Sequence, residues 1–536
     1  MNVLTAAGRI APAFLALASV TAQADHRTTH QLDPVNVTAT NPSTQNSLAD
    51  ARAEVARTAG GATVIEGADL RDQRAGTLTD ALGQAAGVFA QSRFGAQEMR
   101  LSIRGSGLQR TFHTRGITVL QDGVPLNLAD GSGDFQSIDP LAASHIEVFR
   151  GGNALQYGGG TLGGSVNFVT DTGTTAGNEV RLEGGSFGYG RAYASGGLVK
   201  GTLDGFASLG YFAQDGFRDH AQQREFRFTS NLGVRLANGI ENRTFLTLTQ
   251  SDSELPGSLS KARLEADSRQ ANANNGRAAL DQRRDTQVLR LANKSVARIS
   301  DDTVTELAVT VARKDLDHPI FQVLLQENYD YGLSLRLINS TPLAGHRNRL
   351  VLGINPQHGL TKGDSFVNLA GTTARGARTD RYTQTASNFI AYAENQFGVS
   401  ERLTLVGGAQ AMAARRDNRD EFFAPGQSSS YDENYTGFSP KVGAIYALQP
   451  GVQLFGNVAG SFEPPSFGEG PQAIAGGPLK AQRAVTAEVG TRGKTGLLVW
   501  DLSVYRAEIN NELLALQVPV GGNQTSGVTV NAESTV

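Results

Sequence analysis

From about residue 175 onward, apolar and polar residues alternate at period two in segment after segment, and nothing else narrows the possible folds so far. Phe226, Phe228, Leu232, Val234 and Leu236 fall on one side of an extended segment, with Arg227, Thr229, Asn231 and Arg235 on the other. Tyr329, Tyr331, Leu333, Leu335 and Leu337 alternate with Asp330, Gly332, Ser334 and Arg336, and Leu498, Trp500, Leu502 and Val504 with Val499, Asp501, Ser503 and Tyr505. Such alternation gives a sheet one apolar and one polar face. In lipid, a sheet of that kind satisfies every backbone amide only by closing on itself, so a transmembrane antiparallel β-barrel is expected.

Connection lengths sort the same way. Leu236 to Gly239, Ser300-Asp301-Asp302, Gly398 to Glu401 and Gln449-Pro450-Gly451 are short, whereas Asp252 to Asp285, His358 to Arg381 and Arg415 to Tyr435 are long and polar. Outer-membrane barrels carry short turns on the periplasmic side and long loops outside, which sets the expected orientation. A chain of 536 residues exceeds one ordinary core. Its mean hydropathy of -0.25 cannot supply the long apolar runs of a helical membrane protein, but suits a barrel in which alternate residues are polar.

Charge and cysteine content remove other classes. A net charge of -3 leaves no basic field, so nucleic-acid binding is excluded. With 0 cysteines there is no disulfide framework, thiolate metal site or cysteine nucleophile. The eight histidines are dispersed, and neither H-E-x-x-H nor G-x-S-x-G occurs on a recognisable scaffold, so no enzyme, no cofactor and no metal site is expected.

Residues 1–24 read as a signal peptide: Arg9, then an apolar stretch from Ile10 to Val20, then Ala22-Gln23-Ala24 before Asp25. Residues 25–62 are polar and read as an extended N-terminal segment. Within it, Asp33-Pro34-Val35-Asn36-Val37-Thr38-Ala39-Thr40 suits a strand that forms only when a sheet edge is offered. Residues 63–172 read as a small α+β domain. Thr63-Val64-Ile65, Leu101 to Arg104, Ile117 to Leu120 and Ile146 to Phe149 read as strands; Asp69 is expected to cap one short helix, and Thr79 to Ala86 to form another ending at Gly87.

The run Arg150 to Thr170, with Gly158-Gly159-Gly160 inside it, lacks G-x-x-x-x-G-K-[ST] and a following helix, so its glycines are read as tight turns and close packing against a wall, not as a phosphate cradle. Read with Arg104-Gly105 and Asp122-Gly123-Val124-Pro125, it resembles the plug domain of TonB-dependent outer-membrane receptors. Ser461 to Phe467 and Tyr505 to Leu513 are similar to barrel segments of the siderophore-uptake members.

The resemblance implies an α+β plug domain (63–172) inside a transmembrane antiparallel β-barrel (173–536) of about twenty-two strands. It implies that Asp33 to Thr40 is the TonB box, that the TonB energy-transducing complex and outer-membrane lipid are partners, and that the ligand is a ferric siderophore or similar iron chelate bound in the cell outer membrane. Cobalamin or haem is the alternative cargo. A passive plugged barrel needs no coupling strand, so the box argues against it. Ligand contacts are expected at the plug apex: Arg93, Phe94, Gln109, Arg110, Thr111, Phe112 and His113, with Asn127 to Phe135 beside them. Lys441, Arg336 and Arg235 are read as lumen charges holding the plug, and Tyr329, Tyr331, Trp500 and Tyr505 as interfacial aromatics or outward wall. Roughly fifteen strand candidates lie between Val180 and Glu508. Because Asn531 to Val536 follows a polar stretch read as an external loop, the barrel is expected to be truncated, with two open edges that would prevent stable insertion.

Overall fold

The computed structural model describes residues 43–536 except 74–76, 93–98, 109–113, 134, 136, 159–161, 237–238, 372–373, 424–427, 470–477 and 522–523; between 517 and 527 only backbone is described. The first element is a helix, α1 (Leu48–Arg57), in a stretch expected to be extended. The Ser47 hydroxyl accepts the Asp50 N–H at 3.1 Å and the Asp50 carboxylate accepts the Ser47 N–H at 3.0 Å, a reciprocal cap. The usual signature has Glu or Gln in place of Asp50, so the start signal is muted in sequence.

The plug is a five-stranded sheet, β1 (Ala62–Glu66), β4 (Ile117–Gln121), β5 (Val124–Pro125), β6 (Ala143–Arg150) and β7 (Gly164–Thr170), beside a hairpin, β2 (Val88–Ser92) and β3 (Met99–Ile103). The sheet order is β1-β6-β7-β4-β5, with β4 and β7 parallel. Helices α2 (Gly67–Arg71) and α3 (Leu78–Leu82) share its core, where Leu70, Leu82, Ile103, Val119, Ile146, Val166 and Phe168 are buried. Helix α3 starts at Thr77, whose hydroxyl and the Asp80 carboxylate cap each other's backbone, and stops by Gly83, shorter than expected. Asp69 sits in the first turn of α2, three positions after the N-cap Glu66, so it does not take the capping position expected of it. At Gly164, φ is 124° and a Cβ would run into the Phe149 carbonyl, so that position of the glycine run tolerates no side chain.

The barrel begins with β8 (Glu179–Gly184), β9 (Gly190–Lys200), β10 (Leu203–Gln214), β11 (Gln223–Arg235) and β12 (Ile240–Glu254). After an exposed helix, α4 (Lys261–Ala266), come β13 (Arg283–Ser300), β14 (Thr303–Pro319), β15 (Gln322–Asn339), β16 (Asn348–Ile354), β17 (Gln357–Asn368) and β18 (Arg375–Gly398). It continues with β19 (Leu403–Asp420), β20 (Tyr431–Gln449), β21 (Val452–Glu463), β22 (Gln482–Thr495), β23 (Leu498–Gly521) and β24 (Gln524–Thr535). The alternation holds in β11: Phe226 and Leu232 are exposed, while Arg227, Thr229 and Asn231 are buried.

Both β16 and β17 pair antiparallel with β15 and with β18, separated only by Asn355-Pro356. They are one pass interrupted where proline has no N–H to give the ladder. Seventeen strands among the described residues therefore make sixteen passes, an even number as antiparallel closure requires. This is fewer than the twenty-two or so implied by resemblance. Two expectations are corrected. The stretch before Asn531 is not a loop, since β24 pairs with β23 from Gly521↔Gln524 to Ile509↔Thr535. The sheet order is closed, with β24 beside β8, where two open edges were expected.

The sequence also overstated two loops. Strands reach Asn368 and restart at Arg375, and reach Asp420 and restart at Tyr431, so much of 358–381 and 415–435 is paired strand. These outer extensions are polar on both faces, which erases the alternation that marks a strand in lipid. The four short turns stand as expected, between β11 and β12, β13 and β14, β18 and β19, and β20 and β21. No described helix is long and apolar enough to cross a membrane.

Candidate functional site

Inward positions of the wall carry the groups that hold the plug. On β22, Val485 and Val489 point outward while Thr486, Glu488 and Arg492 are buried. Glu488 Oε1 accepts the Gly61 N–H at 2.9 Å and pairs with Arg104; Oε2 accepts from Asn153 at 3.1 Å and Asn457 at 3.2 Å. Arg492 donates to the Thr58 carbonyl at 3.0 Å and also to Val55 O and Gly60 O, and Asn457 to Ala59 O at 2.7 Å. Most of these backbone groups lie between α1 and β1, outside either element's own ladder, so the wall satisfies them. The Tyr505 ring stacks 4.6 Å from the Arg104 guanidinium, which moves Tyr505 from the outward wall to the plug side.

A second set of ties lies at β10 to β12. Arg243 is bidentate to Asp204, with both contacts at 2.8 Å, and donates to Asn231 at 2.7 Å and Thr44 at 2.9 Å. The Thr44 N–H donates to Glu241 at 3.1 Å, and the Gln45 amide to Asp122 at 2.7 Å and Thr170 at 2.9 Å. The chain entering the plug is thus fastened to both wall and plug sheet within two residues. Burial pushes the Asp122 carboxyl up to about 6, against the opposing pull of the Thr170 and Gln45 hydrogen bonds.

Toward the end with the longer loops, Thr114 to Thr118 with Asn127, Leu128, Asp130 and Gly131 of the plug face Asn388, Arg416, Pro464 and Ser466 across a cavity of about 60 Å³. Arg416 donates to Pro465 O at 3.2 Å, Asn388 Oδ1 at 2.9 Å, Arg415 O at 3.0 Å and Asp130 O at 3.3 Å, all neutral oxygens. The nearby Asp130 carboxylate is engaged elsewhere, by Ser132 and by the Phe467 N–H. Arg115 pairs with Glu469.

Of the residues the sequence singled out, Asn127, Leu128, Asp130 and Gly131 line this cavity. Arg93, Phe94, Gln109, Arg110, Thr111, Phe112 and His113 lie outside the described residues, as does the whole of Asp33 to Thr40. Arg336 pairs with Glu306 at 2.7 Å and approaches Gln156 of the plug at 3.5 Å, in keeping with its lumen reading. Lys441 is inward but pairs with the wall residue Glu394 at 2.9 Å, and Arg235 pairs with Glu241 at 3.3 Å from a largely exposed position. The sequence reading missed Glu488, Arg492, Asn457, Arg243 and Asp204. Their one signal was a charge or amide on the polar side of an alternating strand.

An antiparallel barrel whose lumen holds a tied α+β plug defines a plugged-barrel class. The family described as TonB dependent receptor-like, beta-barrel matches residues 161–536, and the TonB-dependent receptor plug domain matches residues 54–165. The chain belongs to the TonB-dependent receptor family. It is similar to the vitamin B12 transporter BtuB of Vibrio vulnificus (27% identical over 195 residues, 32% of this chain and 31% of that one). It is also similar to the ferric aerobactin receptor of Escherichia coli (39% over 113 residues, 20% and 14%) and the hemin receptor of Yersinia pestis (34% over 108 residues, 20% and 15%). The matched stretch thus spans less than a third of each curated relative. Among solved structures, unliganded ferric citrate transporter FecA superposes with a TM-score of 0.75 at 17% identity, covering 86% of this chain and 71% of that one. The ferric yersiniabactin uptake receptor FyuA of Yersinia pestis gives 0.70 at 16% identity, covering 85% and 73%.

Proposed function

We propose that this chain is a receptor that binds a ferric siderophore or similar iron chelate outside the cell and imports it when the TonB complex pulls on residues 33–40. On this reading residues 1–24 direct export and are removed, and the longer loops face outward. The observation that carries it is the filled lumen. Three cavities between plug and wall among the described residues measure about 70, 40 and 60 Å³, room for a few waters each and not for a chelate. Passage therefore needs the plug to move, and its ties are polar contacts that water can replace. Arg416, whose hydrogen bonds go to neutral oxygens, supplies a cation at the apex for an anionic chelate.

The ferric aerobactin receptor among the relatives supports iron, while the B12 transporter and hemin receptor keep cobalamin and haem as the second reading. The deciding experiment supplies labelled ferric citrate, ferric aerobactin, haemin and vitamin B12 to an outer-membrane receptor-null strain carrying this chain. Energy-dependent accumulation of a ferric chelate is expected; accumulation of haemin or B12 alone would replace the substrate class, and accumulation of none would remove the uptake reading.

A further inference from the structure

The loop that follows β21 turns inward over the plug. Pro464 and Pro465, each with its φ fixed by the ring, are buried together with Ser466, and the chain then makes a short helical turn, Phe467–Glu469. The Phe467 N–H donates to the Asp130 carboxylate of the plug at 3.1 Å, and the Phe467 ring lies 6.4 Å from that of Tyr431 on β20. Glu469 is only 2% exposed, rare for a carboxylate unless it is paired, and it pairs with Arg115 of the plug.

The two arginines that line the cavity beneath this loop are therefore in different states. Arg416 gives its hydrogen bonds to neutral oxygens, whereas Arg115 already faces a carboxylate that the protein itself supplies. Glu463, at the end of β21, also lies 4.0 Å from Arg115, but its carboxylate is held in the wall by the Gln482 amide at 2.5 Å. Glu469 is held differently. Its Oε2 accepts the Ser466 N–H at 2.8 Å and the Ser466 hydroxyl at 3.2 Å, bonds internal to the loop that can travel with it. Of its described bonds, only the pair with Arg115 is given up when the turn leaves the plug.

We propose that Glu469 is a built-in stand-in for the cargo: a carboxylate of the incoming chelate takes its place on Arg115, and the turn Phe467–Glu469 lifts away from Asp130 as it leaves. The inference rests on the uptake reading and narrows the cargo to chelates that present a carboxylate. Exchange of one carboxylate for another leaves the buried Arg115 guanidinium matched before and after, whereas a ligand without a carboxylate would strand it. Arg416 then serves as the second cation of the same site.

Equilibrium binding to the full chain in outer-membrane vesicles tests this, with labelled ferric citrate and ferric aerobactin as carboxylate chelates and vitamin B12, which has no carboxylate, as the control. Glu469→Gln keeps the shape of the side chain and removes its charge. It is expected to bind a carboxylate chelate about tenfold tighter than the parent, because an internal competitor lowers apparent affinity by the fraction of time it holds the site. Adding Arg115→Gln is expected to erase that gain. A Glu469 that only held the fold together would give weaker or unchanged binding on substitution; either result overturns the proposal, as does an equal gain for vitamin B12. A second measurement follows the turn itself. Ser466→Cys puts the sole thiol of the chain at a site 9% exposed, and its labelling by a maleimide is expected to be about tenfold faster with saturating ferric chelate than without. An unchanged labelling rate while the chelate is bound also overturns the proposal. Binding of neither ferric chelate by the parent or any variant removes the uptake reading and this inference with it, whereas binding by the parent without these changes overturns the inference alone.

Discussion

Glu488 of β22 and Arg104 of the plug form an ion pair whose side chains are 1% and 5% exposed, so wall and plug share one desolvated charge pair. Arg104 sits at a φ of 55°, unusual for a residue other than glycine, and its ring partner Tyr505 closes the far face of the guanidinium. Removing one member of a buried pair strands the other and costs about 3 kcal/mol or more. Glu488→Ala is therefore expected to loosen the plug and to raise single-channel conductance in planar bilayers well above the parent. Replacing both members with Glu488→Gln and Arg104→Met should be milder than either single change; a double variant worse than the sum of the two would show that the pair is not the source.

The fastening at Thr44 and Gln45 predicts a second effect. Each hydrogen bond to a charged partner is worth about 1.5 to 3 kcal/mol, so losing those between the Thr44 hydroxyl and Glu241 and Arg243, and that of the Gln45 amide to Asp122, should free the segment before them. Thr44→Val with Gln45→Leu is expected to raise the rate of thiol labelling at an introduced Asp33→Cys by about tenfold or more. A labelling rate equal to that of Asp33→Cys alone would mean that the fastening does not govern the segment.

These ties show what a one-dimensional reading can reach. Alternation exposed the barrel because lipid selects apolar residues on one face, and it correctly put Arg227 and Asn231 inside. It failed where that selection ends: the strand extensions to Asp420 and from Tyr431 are wet on both sides, and β24 is built mainly from threonine, serine, valine and glycine, with a stripe no longer than Val528, Val530 and Ala532. Partners were less legible still. Nothing in the residues around Glu488 indicates that Gly61, some 427 positions away, is its hydrogen-bond donor. The glycine run was legible because steric exclusion is local, as at Gly164 against Phe149 O.

Asp122 gives the plug a pH dependence. Its carboxyl titrates near 6 when folded, raised chiefly by burial, and near 3.9 in an unfolded chain. A raised carboxyl binds its proton more tightly in the folded state, so the folded plug gains relative stability below about pH 4 and loses it as pH rises through 6. A shift of about two units corresponds to roughly 3 kcal/mol. Asparagine in place of Asp122 keeps a residue type that tolerates the observed φ of 56°. The Asp122→Asn variant is expected to flatten the change in plug urea stability between about pH 4.5 and 7, followed by hydrogen exchange of residues 117–125. A pH dependence as steep as the parent's would place the titrating group elsewhere.

Arg416 separates charge from geometry at the apex. Its guanidinium reaches Pro465 O, Asn388 Oδ1 and Asp130 O at once, joining the loop after β21, the wall and the plug in one fan of donors. A lysine ammonium preserves the charge, but as a single point it cannot span three acceptors. If the fan shapes the apex, Arg416→Lys should bind ferric aerobactin or ferric citrate as weakly as Arg416→Ala, both roughly tenfold to a hundredfold below the parent, the cost of one charge-assisted contact. If only the positive charge matters, lysine should recover most of the affinity and the salt dependence of the parent, with alanine losing both. Equilibrium binding to whole cells at two ionic strengths distinguishes these outcomes, and the threefold acceptor set favours the first; parent-like binding by the lysine variant would refute it.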